Sequence, residues 1–160
     1  MRFSAAHRKG CYILILRVPR RRTLEIGALG TIRITGGSYA YVGSAMNGLD
    51  ARVARYLRPE RARRWHIDYL VDYARLLDIV VAPCENSVEC EVSRRLMLEW
   101  PVVPRFGSSD CRCPGHLFGP APLKQLRASA YRAFSQCGIK PQPWEGLHNS
   151  GHAKGQKELP

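Results

Sequence analysis

The sequence predicts an α/β fold of the α+β type: a small three-stranded antiparallel sheet flanked by helices, with an extra helix at the C-terminal end. Three strand-sized segments rich in branched and aromatic residues support this fold class, at residues 10–18, 38–43 and 76–82. Apolar residues at helical spacing fill much of the chain that separates and follows them. Two shorter β-prone pieces, residues 24–26 and 31–35, are bounded by glycines, and we expect them to extend the first hairpin.

Four segments have the periodicity of amphipathic helices. In the first, Leu49, Val53 and Leu57 share one face, and Pro59 ends the segment. The predicted helices span residues 49–57, 65–76, 87–99 and 122–137. A loop over residues 106–119, FGSSDCRCPGHLFG, precedes the last helix and is dense in turn residues and potential metal ligands.

The chain divides into four parts by composition. Residues 1–9 are typical of a flexible basic arm, residues 10–120 form the predicted main domain, residues 121–138 the C-terminal helix, and residues 139–160 a disordered polar tail. No apolar run approaches the roughly 20 residues that span a bilayer, and the N-terminus has no signal-peptide hydrophobic region. We therefore expect a cytoplasmic protein with no membrane partner.

The net charge indicates a polyanionic partner. The chain has 25 lysines and arginines against 13 acidic residues, for a formal charge of +12, and arginine outnumbers lysine. The planar guanidinium group matches phosphate oxygens, and a basic surface attracts nucleic acid from a distance. We therefore predict nucleic acid, and DNA in particular, as the partner, although a solvated surface in an arginine-rich proteome would give the same count. The charge disfavours a small cationic substrate and leaves the oligomeric state open.

Two tyrosine-bearing strands followed by an arginine-bearing helix give the first indication of chemistry. The triplet GCY ends at Tyr12 on the first strand, and YVG begins at Tyr41 on the second. Arg52 follows in the stretch YVGSAMNGLDARVARYLR. This order resembles the GIY-YIG nuclease superfamily over residues 10–100.

Further motifs narrow the resemblance. WHIDYL (65–70), the Glu89-Cys90 pair and FGSSDCRCPGHLF (106–118) look like one poorly characterised prokaryotic branch, known as a domain of unknown function and sometimes fused to endonuclease III-type glycosylases. The resemblance implies a GIY-YIG-like fold and a metal-dependent endonuclease that hydrolyses DNA phosphodiester bonds. It places this activity in DNA repair or processing, with a repair protein as a potential partner.

The resemblance also implies a role for each residue of the set. Tyr12 becomes the general base, Tyr41 orients the attacking water or binds phosphate, and Arg52 holds the scissile phosphate and stabilises transition-state charge. Glu89 would bind one divalent cation, magnesium or manganese, because a carboxylate is a hard oxygen ligand. Apart from the resemblance, the polar pair His66 and Asp68 suggests that His66 lies beside the phosphate or carries a proton, or else that both residues cap the helix or hydrogen-bond locally. The predicted substrate contacts are Gly43, Ser44, Arg55, Arg61, Arg63 and Arg64.

Each of these residues also has a purely structural explanation. Strand tyrosines usually belong to the core, and a single helix arginine usually lies on a solvated face. Glu85 and Glu91 lie close to Glu89, and periodicity does not choose among the three. Many GIY-YIG relatives carry an asparagine after a Pro-Arg-aromatic triplet, whereas glycine and serine follow that triplet here. The residue that replaces this asparagine would be Ser108, Ser109 or Asp110.

A group of cysteines and a histidine predicts a second metal site. Cys111, Cys113 and His116 lie close together in the chain, and Cys90 could supply a fourth ligand from the preceding helix. Four such ligands would make a closed structural zinc site that clamps loop 106–118 against the sheet. In the alternative interpretation, Cys90 is a small buried side chain and the other two cysteines are ordinary loop residues. Without a secretory signal, a disulfide framework is not expected.

Three classes of function follow, in order of preference. The first is a DNA endonuclease, and the second is a catalytically weak or inactive nucleic-acid-binding module that retains the fold. The third is a zinc-stabilised interaction domain, which the high positive charge disfavours. Metal-dependent nicking of supercoiled plasmid separates the first class from the other two.

Overall fold

A five-stranded antiparallel sheet is the centre of the fold in the computed structural model, which describes residues 8–149. The strands, in chain order, are β1 (Gly10–Val18), β2 (Arg22–Ile26), β3 (Gly30–Ile34), β4 (Gly37–Ala45), β5 (Arg75–Pro83), β6 (Leu117–Ala121) and β7 (Gln142–Pro143). The large sheet has the order β6-β4-β1-β5-β7, and β2 pairs with β3 in a separate two-stranded sheet. The helices are α1 (Leu49–Arg55), α2 (His66–Val71), α3 (Glu89–Met97), α4 (Leu123–Gln136) and α5 (Gly146–Asn149).

Strand β1 lies at the middle of the sheet because both of its edges are paired. Leu14 lies opposite Tyr41 of β4 and Ile79 of β5. Its side chains alternate between two apolar cores, so that Tyr12 belongs to one core and Ile13 to the other. A strand buried on both faces needs a nearly continuous apolar run, which the sequence GCYILILRV provides.

The predicted three-stranded sheet is wrong in its extent, although β1, β4 and β5 lie where the sequence predicts strands. β6 begins inside the predicted loop 106–119. Sequence reasoning missed this strand because Gly119 and Pro120 are typical of turns, although an edge strand tolerates proline. β7 has only two residues and lies in the predicted tail. These two strands cover the outer edges of β4 and β5, whose backbone groups would otherwise be unpaired.

The two β-prone pieces after β1 pair with each other, so the prediction that they extend the first hairpin is wrong. A 3-10 turn at Gly27–Leu29 joins β2 to β3, and Gly27 and Gly30 have φ angles of 39° and 86°. Glycine adopts this left-handed region without steric cost, so the chain turns back on itself here. Ile26 of this ribbon is buried in the same core as Leu70 of α2.

The helices cover the two faces of the large sheet. α3 and α4 pack on one face, where Val92 belongs to the same core as Ile13. α1 and α2 pack on the other face, where Val53 shares a core with Tyr12. α2 is shorter than the predicted helix 65–76, because the chain passes almost directly from α2 into β5.

The first part of the predicted tail packs against the domain. β7 pairs with β5, and the indole N–H of Trp144 donates to Asp50 Oδ1 at 2.9 Å. Residues 139–149 therefore belong to the fold, whereas residues 1–7 of the predicted arm and residues 150–160 of the predicted tail lie outside the described residues. In the described part of the chain, no helix has the length and apolar character that crossing a bilayer requires.

Candidate active site and metal centre

A cavity of about 390 Å³ lies on the tyrosine-bearing face of the large sheet. Its lining comes from β1, β4, α1, α2, α3 and the loop before β6, which are far apart in the sequence. Eight of the predicted catalytic and substrate-binding residues line it: Tyr12, Tyr41, Gly43, Ser44, Arg52, Arg64, His66 and Glu89. The fold therefore brings the predicted catalytic residues to one place.

Three of the predicted substrate contacts do not line this cavity. Arg55 donates to Asp68 at 2.6 Å, and Arg61 and Arg63 donate to Asp72 at 3.0 Å and 2.9 Å. Each of these three arginines is therefore paired with a carboxylate, and the two carboxylates are shared among them. A phosphate could reach these arginines only in competition with their present partners.

Three tyrosines line the cavity, and Tyr12 contacts the other two. The hydroxyls of Tyr12 and Tyr56 are 2.7 Å apart, and the ring centroids of Tyr12 and Tyr41 are 6.5 Å apart. Sequence reasoning missed Tyr56. The available signal was its position four residues after Arg52, which places both side chains on one side of α1 and its C-terminal cap.

Gly43 leaves the space that the Tyr12 ring occupies. The two residues lie directly opposite each other in the pairing of β1 with β4. A Cβ atom at Gly43 would come within 2.4 Å of the Tyr12 hydroxyl, so any larger residue must displace the ring. Gly43, which was predicted to contact the substrate, thus also shapes the cavity.

Burial raises the pKa of Tyr12 and of Tyr41 well above the ordinary tyrosine value. Loss of solvation is the largest cause in both cases, the neighbouring Tyr56 adds to it, and the positive charge of Arg52 acts in the opposite direction. Tyr12 therefore keeps its proton at neutral pH, which does not support the general-base role implied by the resemblance. Both tyrosines instead provide neutral hydroxyls for hydrogen bonding.

Arg52 is oriented by uncharged groups. Its guanidinium carbon lies 4.2 Å from the centroid of the Trp65 ring, and it donates to the backbone oxygen of Ser44 at 3.1 Å. Within residues 8–149 no carboxylate forms an ion pair with it or with Arg64, which lines the same cavity. Both charges are therefore available to an anion, and the stacking restricts the orientation of Arg52.

The hydrogen bond that His66 accepts fixes the position of its ring proton. Its Nδ1 accepts a hydrogen bond from the backbone N–H of Gly107 at 2.8 Å. Burial lowers the pKa of His66, and this effect outweighs the opposite influence of Asp110. A neutral ring whose Nδ1 is an acceptor carries its proton on Nε2. His66 therefore offers an N–H group, not a base.

Among the three candidate acids, Glu89 is the one that lines the cavity. Glu85 and Glu91 are exposed and do not contribute to its lining. Two of the residues considered in place of the missing asparagine, Ser109 and Asp110, also line the cavity. It therefore contains two carboxylates among its polar groups.

A second cavity, of about 330 Å³, adjoins the first. Both are lined by His66, Ser109 and Cys111. Arg105 and Arg112 line only the second one, together with Ser108 and apolar side chains of the turn between β2 and β3. Sequence reasoning missed these two arginines because the loop that carries them is brought here only by the tertiary fold.

Cys90, Cys111, Cys113 and His116 converge, which confirms the predicted cluster. Their four ligand atoms lie within 4.8 Å of one another, and Cys111 Sγ is 3.3 Å from His116 Nε2. The His116 backbone oxygen accepts a hydrogen bond from Val42 N–H at 2.9 Å, which attaches the loop to β4. We call these four residues the Cys/His centre, and their spacing allows them to hold a metal ion.

The thiols of the Cys/His centre differ in acidity. Burial, followed by the neighbouring Cys113 and Cys111, raises the pKa of Cys90 to about 12. Burial also acts to raise the pKa of Cys111, but hydrogen bonds from Cys113, His116 and Cys90 outweigh it and lower that pKa. A cation would offset the repulsion among several thiolates at this distance, so the donor set fits a metal.

Residues 11–139 match the family described as Domain of unknown function DUF123. The chain belongs to this family. No curated protein and no solved structure matches the chain. The matched residues include every cavity-lining residue and the whole Cys/His centre, so both are parts of the DUF123 domain.

This match corrects the resemblance to the GIY-YIG superfamily. The matching family is one of unknown function, and no GIY-YIG family matches the chain. The order of Tyr12, Tyr41 and Arg52 is a short pattern, and by itself it does not define a superfamily. The five-stranded sheet replaces the GIY-YIG-like three-stranded arrangement that the resemblance implied.

Proposed function

We propose that this DUF123 domain hydrolyses phosphodiester bonds of DNA with the help of a divalent cation. The observation that carries the proposal is the convergence of two arginines, two carboxylates and several neutral hydrogen-bond donors on one cavity of about 390 Å³. Phosphodiester hydrolysis needs positive charge at the phosphoryl oxygens, oriented donors and an activated water.

Arg52 and Arg64 would bind the phosphate group. Arg52 is already oriented by Trp65 and Ser44, so phosphate binding requires no acidic partner to be displaced. Fixed donors that stabilise developing negative charge are commonly the largest single contribution to catalysis. We therefore expect Arg52 to act mainly in the transition state.

Tyr12, Tyr41 and His66 would orient the water and the phosphoryl oxygens. The raised tyrosine pKa values keep both hydroxyls neutral, and His66 presents its Nε2–H. Tyr56 supports Tyr12 through their 2.7 Å hydrogen bond. None of these side chains, the three tyrosines and His66, has to change its charge in order to position the substrate.

Glu89 and Asp110 supply the oxygen donors for the cation. Carboxylates are hard ligands that suit magnesium or manganese, and both line the cavity. Such a cation, when bound there, neutralises phosphate charge and acidifies water. The surrounding arginines and hydroxyls would then hold the substrate in line for attack.

We also propose that the Cys/His centre binds zinc in a structural role. Three cysteines and one histidine form a closed donor set that is typical of structural zinc sites. Cys90 comes from α3 and the other three ligands from the loop before β6, so the ion would tie this loop to the helix. One zinc per chain after purification under reducing conditions, lost in Cys113→Ser, supports this. A metal-free protein with an ordered loop contradicts it.

Plasmid nicking tests the hydrolase proposal. Supercoiled DNA is incubated with the protein and magnesium or manganese, and then with a chelator. We expect cation-dependent nicking that falls by about 100-fold or more in Arg52→Ala, because a fixed donor to the developing charge is lost. Tyr12→Phe should also reduce nicking. Wild-type rates in both folded variants would identify a contaminating nuclease and contradict the proposal.

A DNA-binding module without catalysis is the second candidate. It is favoured by one observation: Tyr12 keeps its proton and the unprotonated nitrogen of His66 already accepts from Gly107 N–H, so neither side chain offers a free base. Such a module would bind DNA through phosphate contacts, with an affinity that falls steeply as salt rises. Salt-dependent binding without nicking in any divalent cation would select this function over hydrolysis.

A further inference from the structure

The cavity and the Cys/His centre meet at two consecutive residues. Glu89 lines the cavity, and Cys90 belongs to the Cys/His centre. Both lie in the first turn of α3. Cys111 joins the two sites a second time, because its thiol is a potential ligand while the residue lines the cavity.

His116 lies between the two sites and faces both. Its Nε2 is 3.3 Å from Cys111 Sγ, and its Nδ1 is 3.4 Å from Glu89 Oε2. The His116 side chain is 1% exposed, and among the described residues its Nδ1 has no partner that meets hydrogen-bond geometry. A buried polar atom without a hydrogen bond is costly, and the Glu89 carboxylate is the acceptor close enough to satisfy it after a small shift.

We propose that the metal-bound His116 positions Glu89 in the cavity by donating a hydrogen bond from Nδ1 to Oε2. When Nε2 binds a metal, the proton of the neutral ring is on Nδ1, and histidine ligands commonly donate it to a carboxylate. The second oxygen of Glu89 remains for a cation in the cavity. The Cys/His centre thus orients Glu89 in the cavity. The role of Glu89 in cation binding rests on the proposed function.

The arrangement requires coupling in both directions. A carboxylate that accepts from a ligating histidine strengthens metal binding, and its loss typically weakens metal affinity by about 10- to 100-fold. The same hydrogen bond restricts the Glu89 side chain, so its loss should weaken cation binding in the cavity. Because linkage is reciprocal, zinc and the cavity cation affect each other through this one contact.

The first experiment measures zinc affinity by competition with a chromophoric chelator, using the full chain. Glu89→Gln should bind zinc about 10-fold or more weakly than wild type. Glu91→Gln is the matched control, because Glu91 lies on the same helix but is exposed, and it should bind zinc like wild type. Equal zinc affinity in wild type and Glu89→Gln would overturn the proposal.

The second experiment approaches the contact from the other residue. His116→Cys keeps four metal ligands but removes the Nδ1–H donor, so zinc content separates loss of the donor from loss of the metal. With one zinc per chain retained, manganese affinity, measured by electron paramagnetic resonance, should fall about 10-fold. Unchanged manganese affinity with zinc retained would overturn the proposal. If His116→Cys does not fold, the Glu89→Gln measurement decides alone.

Failure of the hydrolase proposal would be distinguishable from failure of this one. The zinc-affinity measurement involves neither DNA nor manganese, so it reports on the contact between Glu89 and His116 even if wild type never cleaves DNA. Wild type that binds zinc more tightly than Glu89→Gln, yet binds no manganese and nicks no plasmid, would contradict only the proposed function.

Discussion

Two sets of arginines within residues 52–64 differ in what balances their charge. The cavity arginines, Arg52 and Arg64, line the cavity and form no ion pair with any residue in the described range. The aspartate-bound arginines, Arg55, Arg61 and Arg63, pair with carboxylates of α2 and its C-terminal cap. Similar residues in one short stretch of chain therefore have different electrostatic surroundings, which a count of charges cannot distinguish.

Asp68 is the central carboxylate among the aspartate-bound arginines. Its side chain is 0% exposed and lies 2.6 Å from Arg55 Nη1 and 3.4 Å from Arg61 Nε. It also accepts hydrogen bonds from the backbone N–H groups of Arg64 and Trp65, at 2.8 Å and 2.9 Å. Asp68 therefore holds the backbone at Arg64 and Trp65. Because Trp65 stacks on the guanidinium of Arg52, this backbone also positions the cavity arginines.

Removal of the Asp68 carboxylate should have the largest effect on this arrangement. We expect Asp68→Ala to lower the free energy of unfolding by about 3 kcal/mol or more, because it leaves buried donors and a paired arginine without an acceptor. Asp72→Ala is the control, and since the Asp72 side chain is 30% exposed, its loss should be about 1 kcal/mol or less. Urea unfolding at pH 7 measures both, and equal losses would contradict the central place of Asp68.

Lowering the pH should weaken the hydrogen bonds and ion pairs of Asp68 more gradually than its removal by mutation. Burial acts to raise the pKa of Asp68, but hydrogen bonds from Arg55, Trp65 and Arg64 outweigh it, so the pKa lies below the ordinary value of 3.8. A depressed pKa stabilises the fold above the unfolded-state value and loses this contribution as pH falls through the folded-state value. The stability difference between wild type and Asp68→Asn should therefore be constant near neutral pH and shrink below about pH 4.

A constant difference down to pH 3 would contradict the depressed pKa of Asp68. The variant Asp72→Asn provides the comparison, since its site is more exposed. Urea unfolding of all three proteins at several pH values between 3 and 7 gives the measurement.

The smallest expected effect concerns the salt dependence of DNA binding. Each phosphate contact that is lost reduces the slope of log affinity against log salt by roughly one. Arg64→Ala should reduce the slope by about this amount, whereas Arg63→Ala should change it less because Arg63 is already paired with Asp72. Fluorescence anisotropy at several salt concentrations measures both slopes. Identical reductions would remove the distinction between the two sets of arginines.

Local patterns predicted the individual elements better than their assembly. The strands that contain Tyr12 and Tyr41 and the four main helices are local features, because alternation and helical spacing depend on neighbouring residues. β6 and β7 were missed, since their glycine, proline and short length resemble loops and only pairing with β4 and β5 defines them as strands.

The candidate site was predictable only in part for a similar reason. Sequence spacing brought out the tyrosines, Arg52 and the cluster of cysteines with His116 as candidates. Which arginine has a carboxylate beside it depends on contacts such as Arg61 with Asp72, which no sequence period describes. The acidity of Tyr12 likewise depends on burial by the surrounding fold, and its pKa moved opposite to the direction expected for a base.

The most direct test of the account is a pair of single-turnover cleavage rates. A short labelled DNA duplex is mixed with saturating protein and manganese, so that a change in affinity does not alter the rate. We predict that Arg52→Ala slows cleavage by about 100- to 1,000-fold, while Arg63→Ala stays within about twofold of wild type because its charge is already paired with Asp72. Equal rates for the two variants, whether both slow or both unchanged, would contradict the assignment of the cavity as the catalytic site.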